Sequence, residues 1–582
     1  MIHRALKHKL VLILALAALL LTGCGERAHT PRITDDWGRA GRVGVSSRST
    51  PVGLVVSPDG ERVVLAWPTR PDTDSRDQIH LLALDKSGAV VAEQTLELPI
   101  DDLKQVQLLM EDGSELHLLW SAGASSSRTL WHTQLPAVDN LGAAPLSPKA
   151  TLISPPGVAV QWYKAALLPS GRSLILWVDA DGHLGCQPDG QESPTILLSG
   201  VIGADFQLDE AGNVHLAWSV QESWSRLALY HALLDPDTLT LATPQLATVV
   251  AMPRDVSVDA VDGPVIGLET GDAYLAWTQA FPSLTGVAEQ MYIASAGGQS
   301  EPQLLRLSFG FPPPTMDASG YFAYRQLSGV PRDGGGIQVN HAPTTVSAPG
   351  DETVWALSAL YATRTRQEYQ STLLYLRDGE ILGYQIPTWT SNTSVNPVIA
   401  ADDRHHLYLA WADATGESYH YPIYLASTAP EMQAAWDRLT KDDYLAILGD
   451  LGNRITSAIF MIPLTVIWPL LPLPWLFLML TRGYMYGNRS RWVLLVALWL
   501  YWASKYALTF EVLTYLPGRS YLPQSANIVA VYLAPALIMV ISTGIVWGVM
   551  RRKEFSVMNA YVPIALVDWI LSNVTYAIGY FE

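Results

Sequence analysis

Val63-Val64-Leu65-Ala66-Trp67 is the stretch whose reading decides the fold, because the chain keeps returning to it. It recurs as Leu116-His117-Leu118-Leu119-Trp120, Leu174-Ile175-Leu176-Trp177, Val214-His215-Leu216-Ala217-Trp218, Ala273-Tyr274-Leu275-Ala276-Trp277 and Leu407-Tyr408-Leu409-Ala410-Trp411. A degraded copy, Thr353-Val354-Trp355-Ala356-Leu357, fills the remaining gap. Each copy follows a Gly- or Asp-bearing turn and precedes a second short apolar run, such as Ile79–Leu84, Leu227–His231, Met291–Ala294 or Ile423–Ala426. That is a β-hairpin written seven times. The seven tryptophans lie 53, 57, 41, 59, 78 and 56 residues apart, and repeats of this length carrying several short strands are the mark of propeller blades. The copies are nearly continuous apolar runs, as expected of strands covered on both faces by neighbouring sheets. A two-sheet sandwich is the competing all-β answer, but it needs no seven-fold refrain.

Turn chemistry agrees. Asp-Gly pairs stand at 59–60, 112–113, 181–182, 189–190, 262–263, 333–334 and 378–379, and both residues tolerate the positive φ of tight hairpins. The blades therefore occupy 51–427. The last one stops after Ile423–Ala426, short of an outer strand, and a propeller must close or leave an exposed edge. Residues 25–50 read as a polar tether, and those near 40–48 are expected to supply the missing strand. The 78-residue interval carries an insertion over 311–345, where Pro312-Pro313-Pro314 and Gly334-Gly335-Gly336 bracket Tyr321, Phe322 and Tyr324. Such an excursion is either a recognition element or a neutral surface loop.

The net charge of −17 conceals an asymmetry. Residues 451–582 hold nine Lys and Arg against four Asp and Glu, the first 24 residues carry +3, and 25–450 hold 25 basic against 50 acidic residues. So acidic a middle repels phosphate backbones and excludes nucleic acid as a natural partner. Two cysteines, Cys24 and Cys186, build neither a disulfide framework nor a zinc site; Cys186 reads as a buried thiol. At the start, Arg4, Lys7 and Lys9 precede the apolar run Leu10–Leu21, of secretory length and too short to span a bilayer. The run ends in Leu21-Thr22-Gly23-Cys24, which resembles the lipobox of bacterial lipoproteins. The resemblance implies cleavage before Cys24 and lipidation of its thiol; an ordinary signal peptide with an incidental cysteine is the alternative.

At Thr428 the pattern turns helical. Thr428 with Glu431, and Thr440 with Asp443, have capping-box spacing, while Met432, Trp436 and Leu439 share a face. Residues 428–454 thus read as amphipathic helices at a membrane surface. Four apolar stretches, near 455–480, 492–515, 527–550 and 558–580, are each long enough to cross a bilayer, giving a helical membrane bundle over 455–582. Arg482, Arg489 and Arg491 in one loop and Arg551-Arg552-Lys553 in another, against Arg519 alone in the loop between, place the propeller outside the cytoplasmic membrane by the positive-inside rule. Pro463, Pro469, Pro472 and Pro474 break the first stretch, as either a kinked anchor or a substrate-lining helix. Lys505 and Asp568 lie at similar depth, 14 residues beyond Arg491 and 15 beyond Lys553, so an ion pair inside the bundle is expected. It would serve as a structural clamp or as a relay.

Catalytic signals are sparse. His117 and His215, each three residues before a refrain Trp, and His405-His406 suggest packed histidines rather than a metal ring, since Val64, Leu174, Tyr274 and Tyr408 occupy the matching positions elsewhere. No Walker loop, nucleophile elbow or zinc-protease motif is present. The repeats are distantly similar to sialidase-type propellers, since Ser57-Pro58-Asp59-Gly60 begins like their Asp-box, Ser-x-Asp-x-Gly-x-x-Trp. Trp67, however, comes seven residues after Gly60 rather than three, the other blades lack the Ser-x-Asp start, and the Arg triad and Tyr–Glu pair of those hydrolases cannot be located. The reading that follows is a lipid-anchored extracytoplasmic propeller that binds or assembles a protein or glycan partner, with no cofactor, metal or catalytic residue assigned. A glycoside hydrolase or lyase, and a sensor or transport subunit coupled to Lys505 and Asp568, are the alternatives.

Overall fold

A computed structural model describes residues 30–576 apart from 31–33, 35, 71–74, 112–114, 142–148, 189–193, 252–260, 270–271, 284–285, 299–301, 306–321, 324–342, 349–351, 363–366, 378, 388–389, 391, 442, 445–464, 487–488, 514–523 and 551–555. Seven antiparallel sheets follow one another along the chain, each with at least four strands. The refrain is the second strand of every sheet, in order Arg62–Thr69, Leu116–Ala122, Ser173–Asp179, Val214–Ser223, Asp272–Ser283, Glu352–Ala362 and Leu407–Ala414. The first strands of consecutive sheets touch one another all the way round, and that of the seventh, Thr393–Ala401, touches that of the first, Gly53–Val56. A circuit of seven such contacts is a closed ring, so the fold is a seven-bladed β-propeller.

The tryptophan of the refrain explains why the wheel holds. All seven are buried, none more than 3% exposed. Each belongs to the apolar cluster between its own blade and the preceding one: Trp120 joins blades one and two, Trp177 two and three, and Trp218 three and four. Trp277, Trp355, Trp411 and Trp67 fill the remaining four interfaces, the last closing blade seven onto blade one. Two twisted sheets splay apart away from the axis, and one large ring per interface fills that wedge to interior density. Within the sheet, five of the seven lie against an aromatic residue directly across on the third strand: His80, Trp131, Tyr230, Tyr292 or Tyr424. Opposite Trp177 stands Gly185, where an added Cβ would lie 2.5 Å from the indole ring.

Hairpin turns follow one recipe. An Asp at the end of a strand accepts backbone N–H groups two and four residues on, as Asp85 does from Ser87 and Ala89 and Asp179 from Asp181 and His183. The following glycines, Gly88 and Gly182, take positive φ. Ser57 and Asp59, which begin like an Asp-box, close the first hairpin in a related way: the Ser57 hydroxyl donates to Asp59 and accepts from the Arg62 N–H.

Gly41–Ser46 pairs antiparallel with Tyr421–Ser427 and is the outer strand of blade seven. Sequence-distant ends thus close the ring. Pro430–Trp436 follows as a helix, and here the structure corrects two expectations. Thr428 makes no cap, because its hydroxyl accepts from the Leu407 N–H and Pro430 leaves no N–H to satisfy at the first helical position. Met432 and Trp436 pack into the cluster between blades seven and one instead of facing a membrane surface. Thr440 and Asp443 do form the reciprocal box, exchanging hydrogen bonds of 2.7 and 3.3 Å.

The propeller, up to Arg438, and a helical unit starting at Leu439 are two separate compact units. The helical unit contains Ile467–Leu470, Leu473–Thr481, Ser490–Leu513, Gln524–Met550 and Val557–Tyr576. Among the described residues, Val557–Tyr576 is the one helix long and apolar enough by length and composition to cross a membrane. Prolines break the chain between Ile467 and Thr481 into two short helices, and the freed carbonyls find donors: Tyr561 Oη donates to the Pro469 carbonyl at 2.8 Å. The unit has a mostly apolar core that encloses a few polar groups, and an exterior that is apolar as well. Lys505, Asp568, Ser572 and Asn573 are buried, while Phe477, Trp492, Trp499, Val540 and Trp547 are 62–71% exposed.

Candidate functional site

Lys505 and Asp568 meet, as their sequence depth implies. Nζ of Lys505 donates to Asp568 Oδ2 at 3.0 Å and to Ser572 Oγ at 2.6 Å, and Tyr501 Oη donates to the same carboxylate oxygen at 2.6 Å. All four side chains are 0% exposed. Asp568 Oδ1 has no hydrogen-bond partner. Ser572 lies one helical turn from Asp568 and Tyr501 one turn from Lys505, so two helices supply the whole cluster at i, i+4 spacing. With Ser572 Oγ, 3.4 Å from the same oxygen, three donors converge on Asp568 Oδ2, two of them from helix Ser490–Leu513 and one from its own helix Val557–Tyr576.

The histidines are packed, and in a pattern that sequence spacing does not reveal. His117 Nδ1 lies 3.0 Å from His132 Nε2, and its other nitrogen 2.8 Å from Glu111. Blade four repeats the arrangement with His215, His231 and Asp209, at 3.1 and 3.4 Å. Burial and the facing His215 push the His231 ring down to about 4, which keeps it neutral near pH 7. His406 Nδ1 lies 2.9 Å from Asp402, which closes its hairpin. Asp179, Asp181 and His183 bring three potential metal-ligand atoms within 4.8 Å of one another. Asp179 Oδ1 there is already occupied by the turn's own N–H groups. Burial pushes the Cys186 thiol up to about 12. Cys24, Tyr321 and Tyr324 lie outside the described residues; the backbone at Phe322 pairs with Tyr384 at the edge of blade six.

Near the axis, side chains of first strands stitch neighbouring blades together. Gln107 exchanges hydrogen bonds with the Ala165 backbone at 2.7 and 3.0 Å. Asp205 accepts from the Ile266 N–H at 2.9 Å and from Lys164 at 2.6 Å. Among the described residues these polar groups are engaged in joining blades, and the carboxylate they include is paired to a lysine.

The structure instead assembles a polar pocket of about 350 Å³ from segments that no motif connects. Its walls come from the crossing into blade one (Ser47, Arg48, Thr50), the start of blade two (Lys104), and the hairpin loop of blade seven with the first residue of the strand after it (Tyr419, Tyr421). Because strands alternate in direction, second-to-third-strand loops and blade-to-blade crossings share one rim, and all these groups stand on it. Asp77, 1% exposed, organises the floor, taking Arg48 at 2.7 Å and Arg70 at 2.8 Å together with the Leu103 N–H at 3.0 Å. Asp102 takes Arg48 at 2.8 Å and Lys104 at 3.2 Å. Among the described residues five other than glycine have positive φ, and three of them line the pocket or bond to its lining: Tyr419 at 61°, Asp102 at 56° and Asn396 at 51°. Asn396 donates to the Ser49 carbonyl at 3.2 Å. An αL conformation is costly for a residue as bulky as Tyr, and such strain gathers at sites of function.

No protein-family model matches the chain, and no curated protein matches it. Solved structures are similar to it over part of its length. The N-terminal domain of BBS1 in complex with ARL6 covers 69% of this chain and 98% of its own, at 10% identity and TM-score 0.37. An ulvan lyase of polysaccharide lyase family PL25 covers 66% and 95%, at 7% identity and TM-score 0.37. The NanB sialidase of Streptococcus pneumoniae covers 66% and 69%, at 10% identity and TM-score 0.32.

Proposed function

We propose that this chain is a bacterial lipoprotein whose propeller, outside the cytoplasmic membrane, is a non-enzymatic binding and assembly module for a glycan or protein partner. Cys24 carries the lipid, and four helices within 455–582 moor it. The observation that carries the binding role is the rim pocket: it offers cations and hydroxyls, while the carboxylates beneath it, Asp77 and Asp102, are consumed in ion pairs. Most glycoside hydrolases set a free carboxylate pair across their substrate, and no carboxylate is among the described residues lining this pocket. The mooring is supported by the exposed aromatic and aliphatic side chains of the helical unit, which suit lipid, and by the burial of Lys505 and Asp568 as a pair. Trp492 and Trp547 stand beside the arginine-rich loops, where aromatic residues anchor to head groups. Lys505 and Asp568 act in this reading as the clamp of the bundle.

The test uses the full chain in lipid nanodiscs, presented with glycan and surface-protein arrays, with bound ligands recovered and weighed. The proposal expects ligand retained and returned intact; ligand returned cleaved would make the propeller an enzyme. Carbonate extraction and protease treatment of intact spheroplasts test the topology, with cleavage within 51–427 expected and complete protection contradicting it.

A further inference from the structure

We infer that the rim pocket takes the ring of an uncharged sugar, recognised through its hydroxyls and stacked on Tyr419. This deepens the binding role just proposed and rests on it. The composition of the wall comes first. Six of the eight residues lining the pocket carry a side-chain hydroxyl, and among the described residues neither a carboxylate nor an aliphatic side chain joins them. A hydroxyl both donates and accepts, so this wall is complementary to a ligand that does both at every edge, as a sugar ring does. A peptide would instead ask for an open strand edge or apolar side-chain subsites. Arg48 and Lys104 brace the wall: Arg48 lies 2.7 Å from Asp77 and 2.8 Å from Asp102, and Lys104 lies 3.2 Å from Asp102. The crossing into blade one is thereby tied to the start of blade two before any ligand arrives, which lowers the ordering cost of binding. A volume of about 350 Å³ suits one or two rings.

Two of these hydroxyls come second. Ser47, 5% exposed, and Thr50 line the pocket, and Ser47 Oγ and Thr50 Oγ1 are buried without a hydrogen-bond partner among the described residues. A buried hydroxyl left unpaired is destabilising. A move to a neighbouring staggered χ1 well would present either group to a ligand oxygen. Binding a hydroxyl-rich ring would then satisfy groups that the fold alone leaves unsatisfied.

The aromatic wall comes third. Tyr419 is 48% exposed although Arg70 lies over its ring at 5.1 Å. Its φ of 61° belongs to a region where Asn or Gly would sit at lower cost, so the ring is kept there against a local preference. An aromatic face offers the C–H face of a sugar a contact that its hydroxyl edges do not provide.

Titration calorimetry on the full chain in nanodiscs tests this with uncharged hexasaccharides of glucose, galactose and mannose, beside a hexaglutamate peptide and inorganic phosphate. The expected result is saturable binding of at least one hexasaccharide, changed less than about twofold between about 0.05 and 0.5 M salt, and binding at least about tenfold weaker to peptide and phosphate. Thr50→Val replaces an unpaired hydroxyl by a methyl group; it should leave the melting temperature unchanged or raised and weaken sugar binding by about fivefold. Tyr419→Asn removes the ring but suits αL better than Tyr does; it should weaken binding by about tenfold with the melting temperature again unchanged or raised. Failure of all three hexasaccharides to bind would overturn the assignment, as would binding that disappears at high salt, or normal binding by both variants. Arrays that return a protein, or an intact glycan still held by both variants, would leave the binding module standing without this site, so the two failures are distinct.

Discussion

Gly185→Ala should destabilise the propeller, and Trp177 should be the reason. A Cβ at 185 would fall 2.5 Å from Cε2 and Cζ2 of Trp177 and 2.8 Å from its Nε1, well inside van der Waals contact. The backbone of Gly185 is not among the positive-φ glycines, so alanine fits its conformation and the cost is steric. The indole cannot simply retreat, because it is 1% exposed and held by Leu119, Leu130 and Tyr163 of the interface between blades two and three. Overpacking of this kind costs about 1–3 kcal/mol. With the ring replaced in Trp177→Leu, the new methyl has room, and Gly185→Ala should become neutral or stabilise the strand by about 0.5–1 kcal/mol. The four chains form a double-mutant cycle, read as urea midpoints of the β-sheet circular dichroism of the full chain in detergent. A coupling energy of about 1–3 kcal/mol is expected. Additivity within about 0.5 kcal/mol would refute the packing of indole over glycine, and with it the wedge role given to the refrain.

Three further outcomes follow from the geometry. The depressed His231, near 4 against an unfolded value near 6.5, leaves the folded chain binding fewer protons than the unfolded one between those values. Its contribution is complete above pH 6.5 and is lost as pH falls toward 4, by about 1–2 kcal/mol after solvent screening is allowed for; burial depresses His80 in the same direction. Urea midpoints at pH 7 and pH 5 should differ less in His231→Gln than in the parent. In the helical unit, Lys505→Met strands a buried carboxylate and should cost about 3–5 kcal/mol, whereas Lys505→Met with Asp568→Leu should cost much less than the two single changes added, read as thermal unfolding in detergent. Cys186, pushed up to about 12 and 0% exposed, should resist maleimide in the native chain and react on unfolding, followed by mass spectrometry of its peptide.

What the sequence reveals here is whatever repeats locally. The refrain is legible because the second strand of each blade is covered on both faces and must be apolar throughout, and Trp67 to Trp411 mark the interfaces because a wedge between twisted sheets needs one large ring. Lys505 and Asp568 are legible because charges in an apolar stretch need partners at equal depth. The pocket is not, since Ser47, Lys104 and Tyr419 come from three distant segments and meet only once the ring is closed. The histidine dyads escape for a related reason: His132 and His231 sit diagonally across a strand pair whose register the sequence does not disclose. Thr428 misleads because a capping-box spacing says nothing of a strand N–H at Leu407 that claims the same hydroxyl first.

Closure of the wheel by a strand from the far end of the chain is the claim on which the pocket, the interfaces and the helix after blade seven all depend. Hydrogen exchange at the amides of Arg42 to Ser46, in the full chain in detergent, measures it directly. Paired on one side with Tyr421–Ser427, this segment should show alternate amides protected as strongly as those of the outer strands of the other blades. Exchange there at the rate of an unstructured peptide, with the seven refrains still protected, would mean that the ring is not closed in this way.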